Sequence, residues 1–227
     1  MNRKLLISVS TFNRKRTTEV SLSNLKKYSM GADIVIYDDS SREYDSKFLE
    51  KFGRVVNFSM NLGVHKIKEF QFKNFLKTEY DYLYLTDSDS IHDPCFLRVL
   101  KKLPKNRPIS LYMSNSIKNS KSLNGSDYIL KKYSGGISHF YTRSMVEKIC
   151  KWLECNEFKG WDFDTMDIMG GRMLVTTSCY VEHLGKGGLH SGSNWDHDCA
   201  INPTKYLKNL RTDSIMYIEG CGEFPEL

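Results

Sequence analysis

The sequence predicts an α/β protein built on a mixed, mostly parallel sheet flanked by helices. Three observations carry this expectation. Short apolar runs recur through the first hundred residues: Leu5–Ser10, Asp33–Tyr37, Arg54–Phe58 and Tyr80–Thr86. They are continuous rather than alternating, as in strands buried on both faces. Helix-like segments separate them, and each run ends in polar residues, where open α/β sheets place their ligand crevice.

The elements follow in order. After LLISVS comes a polar segment, TFNRKRTTEVSLSNLKKY, with Val20, Leu25 and Tyr28 as spaced apolar positions. The second run, DIVIY, stops at Asp38-Asp39-Ser40-Ser41. After the third run, Val64–Leu76 predicts a helix with a broad apolar face. The fourth run ends in Asp87-Ser88-Asp89, and Asp93-Pro94 then reads as an N-cap followed by proline at the first helical position. Ile109–Ser114 predicts another strand, and Ser116–Asp127 a polar loop. GGISHFYTRSMVEKICKWLE predicts a Gly-Gly turn, a strand and a helix, with Ser144 and Glu147 as a capping box. GWDFDTMD, the strand-like RMLVTTSCYVEHLG and the Gly-rich GKGGLHSGSNWDHD complete the second half. A short basic helix follows from Asn202.

Size and composition bound the function. A chain of 227 residues, 40% of them apolar, supports one large domain. The reading is a single unit with a nucleotide-binding half (1–100), a catalytic half (101–200) and a tail (201–227). No run of 18 apolar residues is present, so no membrane span is expected, and the chain is expected to act in the cytoplasm. Six cysteines without a CxxC pair predict free thiols rather than a zinc ribbon or redox dithiol. The net charge is +6, and Pro94–Lys132 holds nine Lys or Arg against one acid, Asp127. Such a stretch is either a solvated face or a surface for an anionic partner, nucleic acid or an acidic glycan among them. No GxGxxG follows the first strand and no GxxxxGK[ST] occurs, which argues against a dinucleotide oxidoreductase and a P-loop NTPase.

Four constellations remain as chemistry. Asp87 and Asp89 at a strand end suit Mg²⁺ or Mn²⁺, which take hard oxygen ligands and leave positions for phosphate oxygens. The competing readings are a turn with N-cap acids, or a calcium loop. The latter fails because His92 stands at the glycine position and Arg98 at the bidentate glutamate. Asp38 and Asp39 form an Asx turn or accept hydrogen bonds from a base or ribose. In GWDFDTMD, Asp162 or Asp164 can take a proton from an acceptor hydroxyl and Trp161 can stack on a sugar. The bland alternative is an acidic first turn of a helix. His183, His190, His197 and Lys186 lie in or beside the Gly-rich segment, which can close over a diphosphate and complete a metal site.

The order of these motifs resembles the GT-A (Rossmann-like) glycosyltransferases, and within them the family-2-like inverting group. ISVSTFNR, with Thr11 and Asn13, looks like that family's opening strand. VIYDDSS, with Asp38 and Asp39, is similar to its nucleotide-contacting pair. NLGV, with Asn61 and Gly63, resembles its Asn-x-Gly helix start, and TDSDS its metal-binding DxD. SGGISHFYTRSMVEKI, with Gly136, is similar to the strand and helix that line the donor and acceptor pocket. GWDFDTMD sits at the catalytic acidic motif, with Trp161 where the family usually has Glu. VEHLGKGGLHS resembles the closing His/Gly loop. The likeness spans roughly residues 5–195.

The resemblance implies a hexosyl- or pentosyltransferase using an NDP-sugar, UDP-sugar first. Mn²⁺ or Mg²⁺ would sit on Asp89 with Asp87, and on His183 or His190. Asp162 or Asp164 would be the base. Thr11, Asn13, Asp38, Asp39, Asn61, Gly63, Asp87, Gly136, Trp161 and Lys186 would line the donor site, and Arg143 and Lys186 would neutralise phosphate. The acceptor reading is a saccharide or glycoconjugate. The alternative is nucleic acid met by the basic stretch 98–132, as in phage enzymes that glycosylate a hydroxymethylated or already glycosylated base. A non-catalytic sugar-nucleotide or carbohydrate-binding module is the reading from another class.

Overall fold

A computed structural model of the chain describes residues 4–113, 127–184, 200 and 202–212. The elements begin β1 (Leu5–Thr11), α1 (Lys15–Tyr28), β2 (Asp33–Asp38), α2 (Ser46–Glu50), β3 (Arg54–Asn57), α3 (Val64–Leu76) and β4 (Tyr82–Asp87). They continue with β5 (Ser90–His92), α4 (Phe96–Lys102), β6 (Ile109–Ser110), β7 (Tyr128–Lys131), β8 (Ser138–Thr142) and α5 (Arg143–Trp152). Last come α6 (Trp161–Ile168), β9 (Met173–Thr176), β10 (Val181–His183) and α7 (Lys205–Thr212).

Eight strands form one sheet in the order β3-β2-β1-β4-β8-β6-β9-β7. The strands β3, β2, β1 and β4 run parallel, as do β6 and β9. The pairs β4–β8, β8–β6 and β9–β7 are antiparallel. The expected α/β architecture is therefore the observed one.

Successive strand residues point to opposite faces, and both faces are covered. Ile7, Val9, Ile34, Ile36 and Tyr84 pack with Leu22 and Leu25 of α1, Phe48 of α2, and Phe96 and Leu100 of α4. Leu6, Val35, Tyr37, Leu83 and Leu85 pack with Ile67, Phe72 and Phe75 of α3, Val146 and Ile149 of α5, and Trp161 and Met166 of α6. That two-sided burial is why the runs read as continuously apolar. Among the described residues no helix is long and apolar enough to cross a membrane. Cys95, Cys150, Cys155 and Cys179 are free thiols.

The departures from expectation have local causes. The buried face of α1 is rich in hydroxyls, with Thr17, Thr18 and Ser21 beside Leu22 and Leu25. It meets a strand the sequence did not reveal, β5. Ser21 Oγ donates to Ser90 O at 2.7 Å and accepts from Ser90 N–H at 3.2 Å. Asn24 accepts from His92 N–H at 2.7 Å and donates to His92 O at 3.2 Å. These side chains satisfy an edge that otherwise would need another strand. The expected strand Ile109–Ser114 ends at Ser110, because the Ser110 hydroxyl bridges Tyr112 O and Tyr112 N–H at 2.9 and 3.2 Å. No capping box forms at Ser144: α5 starts at Arg143, with Thr142 at the N-cap and no side-chain cap. Asp93 is not the N-cap of α4 and Pro94 is not its first residue: the helix starts at Phe96 with Cys95 as N-cap, and Asp93 forms an Asx turn before it, accepting from Cys95 N–H at 2.7 Å.

Candidate active site

Parallel register brings the strand ends together. Thr11 lies beside Asp38, Asp38 beside Asn57, and Ser10 beside Asp87. The rim that the sequence populated with polar residues is thus one continuous edge. Several of its side chains are engaged in building it. Asn13 and Arg14 both have left-handed backbones (φ 53 and 57). That turn is held by Asn13, which accepts from Arg42 N–H at 2.8 Å and donates its own N–H to Ser41 Oγ at 2.8 Å. Thr11 hydrogen-bonds Tyr44.

The acidic pair divides. Both Asp39 carboxylate oxygens accept backbone N–H groups, from Leu62 at 2.6 Å and Gly63 at 2.9 Å. Asn61 donates to Asp39 O at 3.3 Å. Asp39 and Asn61 therefore anchor the turn into α3, where Gly63 has φ 81 and so favours glycine. Asp38 uses one carboxylate oxygen on Ser41 N–H and Oγ, and burial raises its pKa. Its second oxygen has no hydrogen-bond partner among the described residues, which leaves Asp38 as the member of the pair able to meet a ligand.

The DxD carboxylates also have different neighbours. Asp87 Oδ1 accepts from Lys68 Nζ at 2.7 Å and from the Ser10 hydroxyl. The Lys68 side chain is 0% exposed, against 30% for Asp87. Its ammonium also donates to Ser10 Oγ at 2.8 Å and lies 4.9 Å from the Trp161 ring centroid. Lys68 was missed in the sequence. The signal was there: it lies one helical turn before Phe72, so it falls on the apolar face of α3.

Asp89 sits in a second cluster. Leu184 N–H donates to Asp89 O at 2.7 Å, and β10 pairs antiparallel with β5 so that His183 lies opposite Ser90. This ribbon carries His183 Nε2 to 3.2 Å from Asp89 Oδ2. Arg14 reaches the same oxygen at 3.1 Å. Burial by itself raises the Asp89 pKa, but His183 and Arg14 outweigh it and hold it down to about 2. Asp89 Oδ1 is shielded from solvent and has no hydrogen-bond partner among the described residues.

Asp162 and Asp164 open α6. Asp164 accepts from Lys159 N–H at 2.7 Å and Gly160 N–H at 3.0 Å, capping the helix it belongs to. Asp162 Oδ1 accepts from Phe163 N–H at 3.1 Å. Burial raises its pKa, with His65 and Lys68 opposing. Trp161 is 5% exposed, and a Cβ on Gly136 would come within 2.5 Å of its Cζ2. Its indole therefore fills space under Lys68 and Gly136 and is not a surface for stacking a sugar. His139 packs 5.2 Å from the same ring, and burial drives its pKa down to about 3.

Other expectations are redirected by the geometry. Arg143 donates to the Tyr80, Thr78 and Leu76 carbonyls and stacks 4.9 Å from the Phe75 ring. It follows Thr142, which pairs with the first residue of β4, so it lies at the opposite end of the sheet from the polar rim. The basic stretch is not one face. Lys131 is 4% exposed, Lys105 donates to Leu100 and Leu103 carbonyls at the end of α4, and Arg98, Lys101 and Lys102 are exposed. Lys186, His190, His197, Lys118 and Lys121 lie outside the described residues.

No protein-family model and no curated protein sequence matches the chain. Solved structures do. Residues 1–349 of S. aureus TarS superpose with a TM-score of 0.59 at 16% identity, covering 78% of this chain and 59% of that one. The same protein in complex with UDP-GlcNAc gives 0.59 at 16%, covering 78% and 57%. The mannosyltransferase PcManGT from Pyrobaculum calidifontis, in complex with GDP-Man and Mn²⁺, gives 0.55 at 15%, covering 83% and 59%. The chain shares its fold with nucleotide-sugar glycosyltransferases. It spans no more than three-fifths of the length of these neighbours.

Proposed function

We propose that this chain is a metal-dependent, inverting glycosyltransferase that moves a sugar from a nucleotide diphosphate, UDP first, to an acceptor hydroxyl. The observation that carries this reading is the Asp89–His183 pair beside the end of β4, with Asp89 Oδ1 shielded and without a hydrogen-bond partner among the described residues. A carboxylate oxygen and an imidazole nitrogen fit Mn²⁺ or Mg²⁺ at a site open to phosphate oxygens. Among the described residues no group of three or more His, Cys, Asp or Glu could hold an ion, so substrate oxygens would complete the set. Asp89 and His183 would hold the cation, which would neutralise charge on the leaving diphosphate.

The chain's own groups supply the rest. Asp38 accepts from the nucleoside. Asp39, Thr11, Asn13, Asn61 and Gly63 hold the loops around it. Asp87, paired to Lys68, shapes the strand end rather than offering both oxygens to an ion. Asp162 takes the acceptor hydroxyl proton as that oxygen attacks the anomeric carbon. The bond from that carbon to the diphosphate oxygen breaks, and its electron pair leaves on the nucleotide. The raised pKa of Asp162 suits a base working near neutrality better than that of an ordinary carboxylate. Asp164 is committed to its helix cap, which favours Asp162 between the two.

The test is calorimetric titration of UDP with and without Mn²⁺, on the parent and on Asp89→Ala. Mn²⁺-dependent binding that disappears in the variant supports the reading. Binding of UDP that is indifferent to both Mn²⁺ and Asp89 removes it.

A further inference from the structure

Phe163 and Tyr133 form an aromatic pair, and Phe163 follows Asp162 in α6, donating its backbone N–H to Asp162 Oδ1 at 3.1 Å. Phe163 is 51% exposed, although it sits on an element whose Trp161 and Met166 are buried. A single exposed apolar side chain needs no explanation. Here two rings meet, 4.9 Å apart and inclined at 64°. Tyr133 is held from the other side, donating to Asp167 Oδ1 at 3.1 Å, with Lys132 Nζ 4.7 Å from its ring centroid. At Gly160 a Cβ would come 3.2 Å from Phe163 Cδ2, so a side chain there would require the ring to give by a few tenths of an ångström.

The surrounding charge narrows what such a surface can take. Asp162, Asp164 and Asp167 share α6 with Phe163. A pyranose presents axial C–H groups to an aromatic face and hydroxyls outward, and carboxylates accept hydrogen bonds from those hydroxyls. A polyphosphate strand on the same surface would meet three carboxylates beside the Lys132 ammonium, and like charges repel.

We propose that Phe163, backed by Tyr133, is the acceptor subsite and takes a neutral pyranose ring of a saccharide, with its hydroxyl toward Asp162. This deepens the glycosyltransferase reading and rests on it. The probes are methyl β-D-glucopyranoside, methyl α-D-mannopyranoside and the methyl β-glycoside of N-acetylglucosamine, with saturation-transfer NMR as readout. A deoxythymidylate oligomer serves as the nucleic-acid probe.

At least one glycoside is expected to receive saturation from the protein. Its affinity should fall about three- to tenfold in Phe163→Ala and in Phe163→Leu, the range a lost ring contact implies, and return in Phe163→Trp. No glycoside signal, a signal indifferent to Phe163, or oligothymidylate binding that depends on Phe163 would overturn the proposal. Circular dichroism confirms that each variant is folded, and the leucine variant keeps the test decisive if the alanine variant is not. UDP titration of the parent reads the donor site separately. Its failure with glycoside binding intact would remove the donor reading and leave the subsite standing.

Discussion

Lys68→Met tests whether the Asp87 half of the DxD is a structural group. The substitution keeps most of the buried stem and removes the ammonium. It deletes hydrogen bonds of 2.7 Å to Asp87 and 2.8 Å to Ser10, and a cation–ring contact of 4.9 Å to Trp161. Breaking a fully buried ion pair costs roughly 3–5 kcal/mol, because the remaining charge is stranded. Asp87 is 30% exposed and can recruit water, so the loss should be smaller, about 2–3 kcal/mol. For a chain of this size that corresponds to a melting-point drop of roughly 4–12 °C. Asp87→Asn strands the wholly buried ammonium instead and should cost more. In the double variant neither charge is stranded, so a double-mutant cycle should show coupling of about 1–2 kcal/mol. Urea unfolding followed by tryptophan emission reads all four proteins, with Trp161 against the site. Additivity within about 0.5 kcal/mol would refute the pairing argument.

Other expectations follow from the same site. Asp162→Asn should lower UDP-sugar turnover by about a hundredfold or more with little change in unfolding midpoint, as for loss of a general base. Asp164→Ala should do the reverse, losing about 1 kcal/mol of stability with its cap while turnover persists, which parallel rate and urea measurements would show. Gly136→Ala should cost about 1–3 kcal/mol by driving a methyl into the Trp161 indole, visible as a shifted emission maximum and a lower midpoint. Burial depresses the pKa of both His92 and His139 from 6.5 to about 3. The unfolded chain takes up these protons below pH 6.5 while the fold refuses them until about pH 3, so stability is full above pH 6.5 and falls as pH drops through that window. Two protons give a slope of up to about 2.7 kcal/mol per pH unit. His92→Gln should roughly halve these histidines' share of it in urea titrations across that range.

Much of this protein is written locally. The four parallel strands, the helix Val64–Leu76 and the polar strand ends follow from continuous apolar runs and 3.6-residue spacing, and local chain geometry enforces both. The positions of the DxD, WDFD and VEH motifs were therefore visible. Their roles were not. Asp39 and Asp38 are neighbours of like chemistry, yet one is consumed by two backbone amides of the Leu62–Gly63 turn and the other keeps an oxygen open. Asp87 looked equivalent to Asp89 until α3 delivered a buried ammonium to one, and the pairing of β5 with β10 delivered His183 to the other. Trp161 read as a stacking platform, but packing against Gly136 buries it and leaves the adjacent Phe163 outside. Which residues reach the sheet edge follows from local pattern, because strand and helix periods are short-range properties. Which of them are already satisfied depends on the assembled fold, because their partners come from distant segments: Asp89 and His183 are 94 residues apart, Arg14 and Leu184 170.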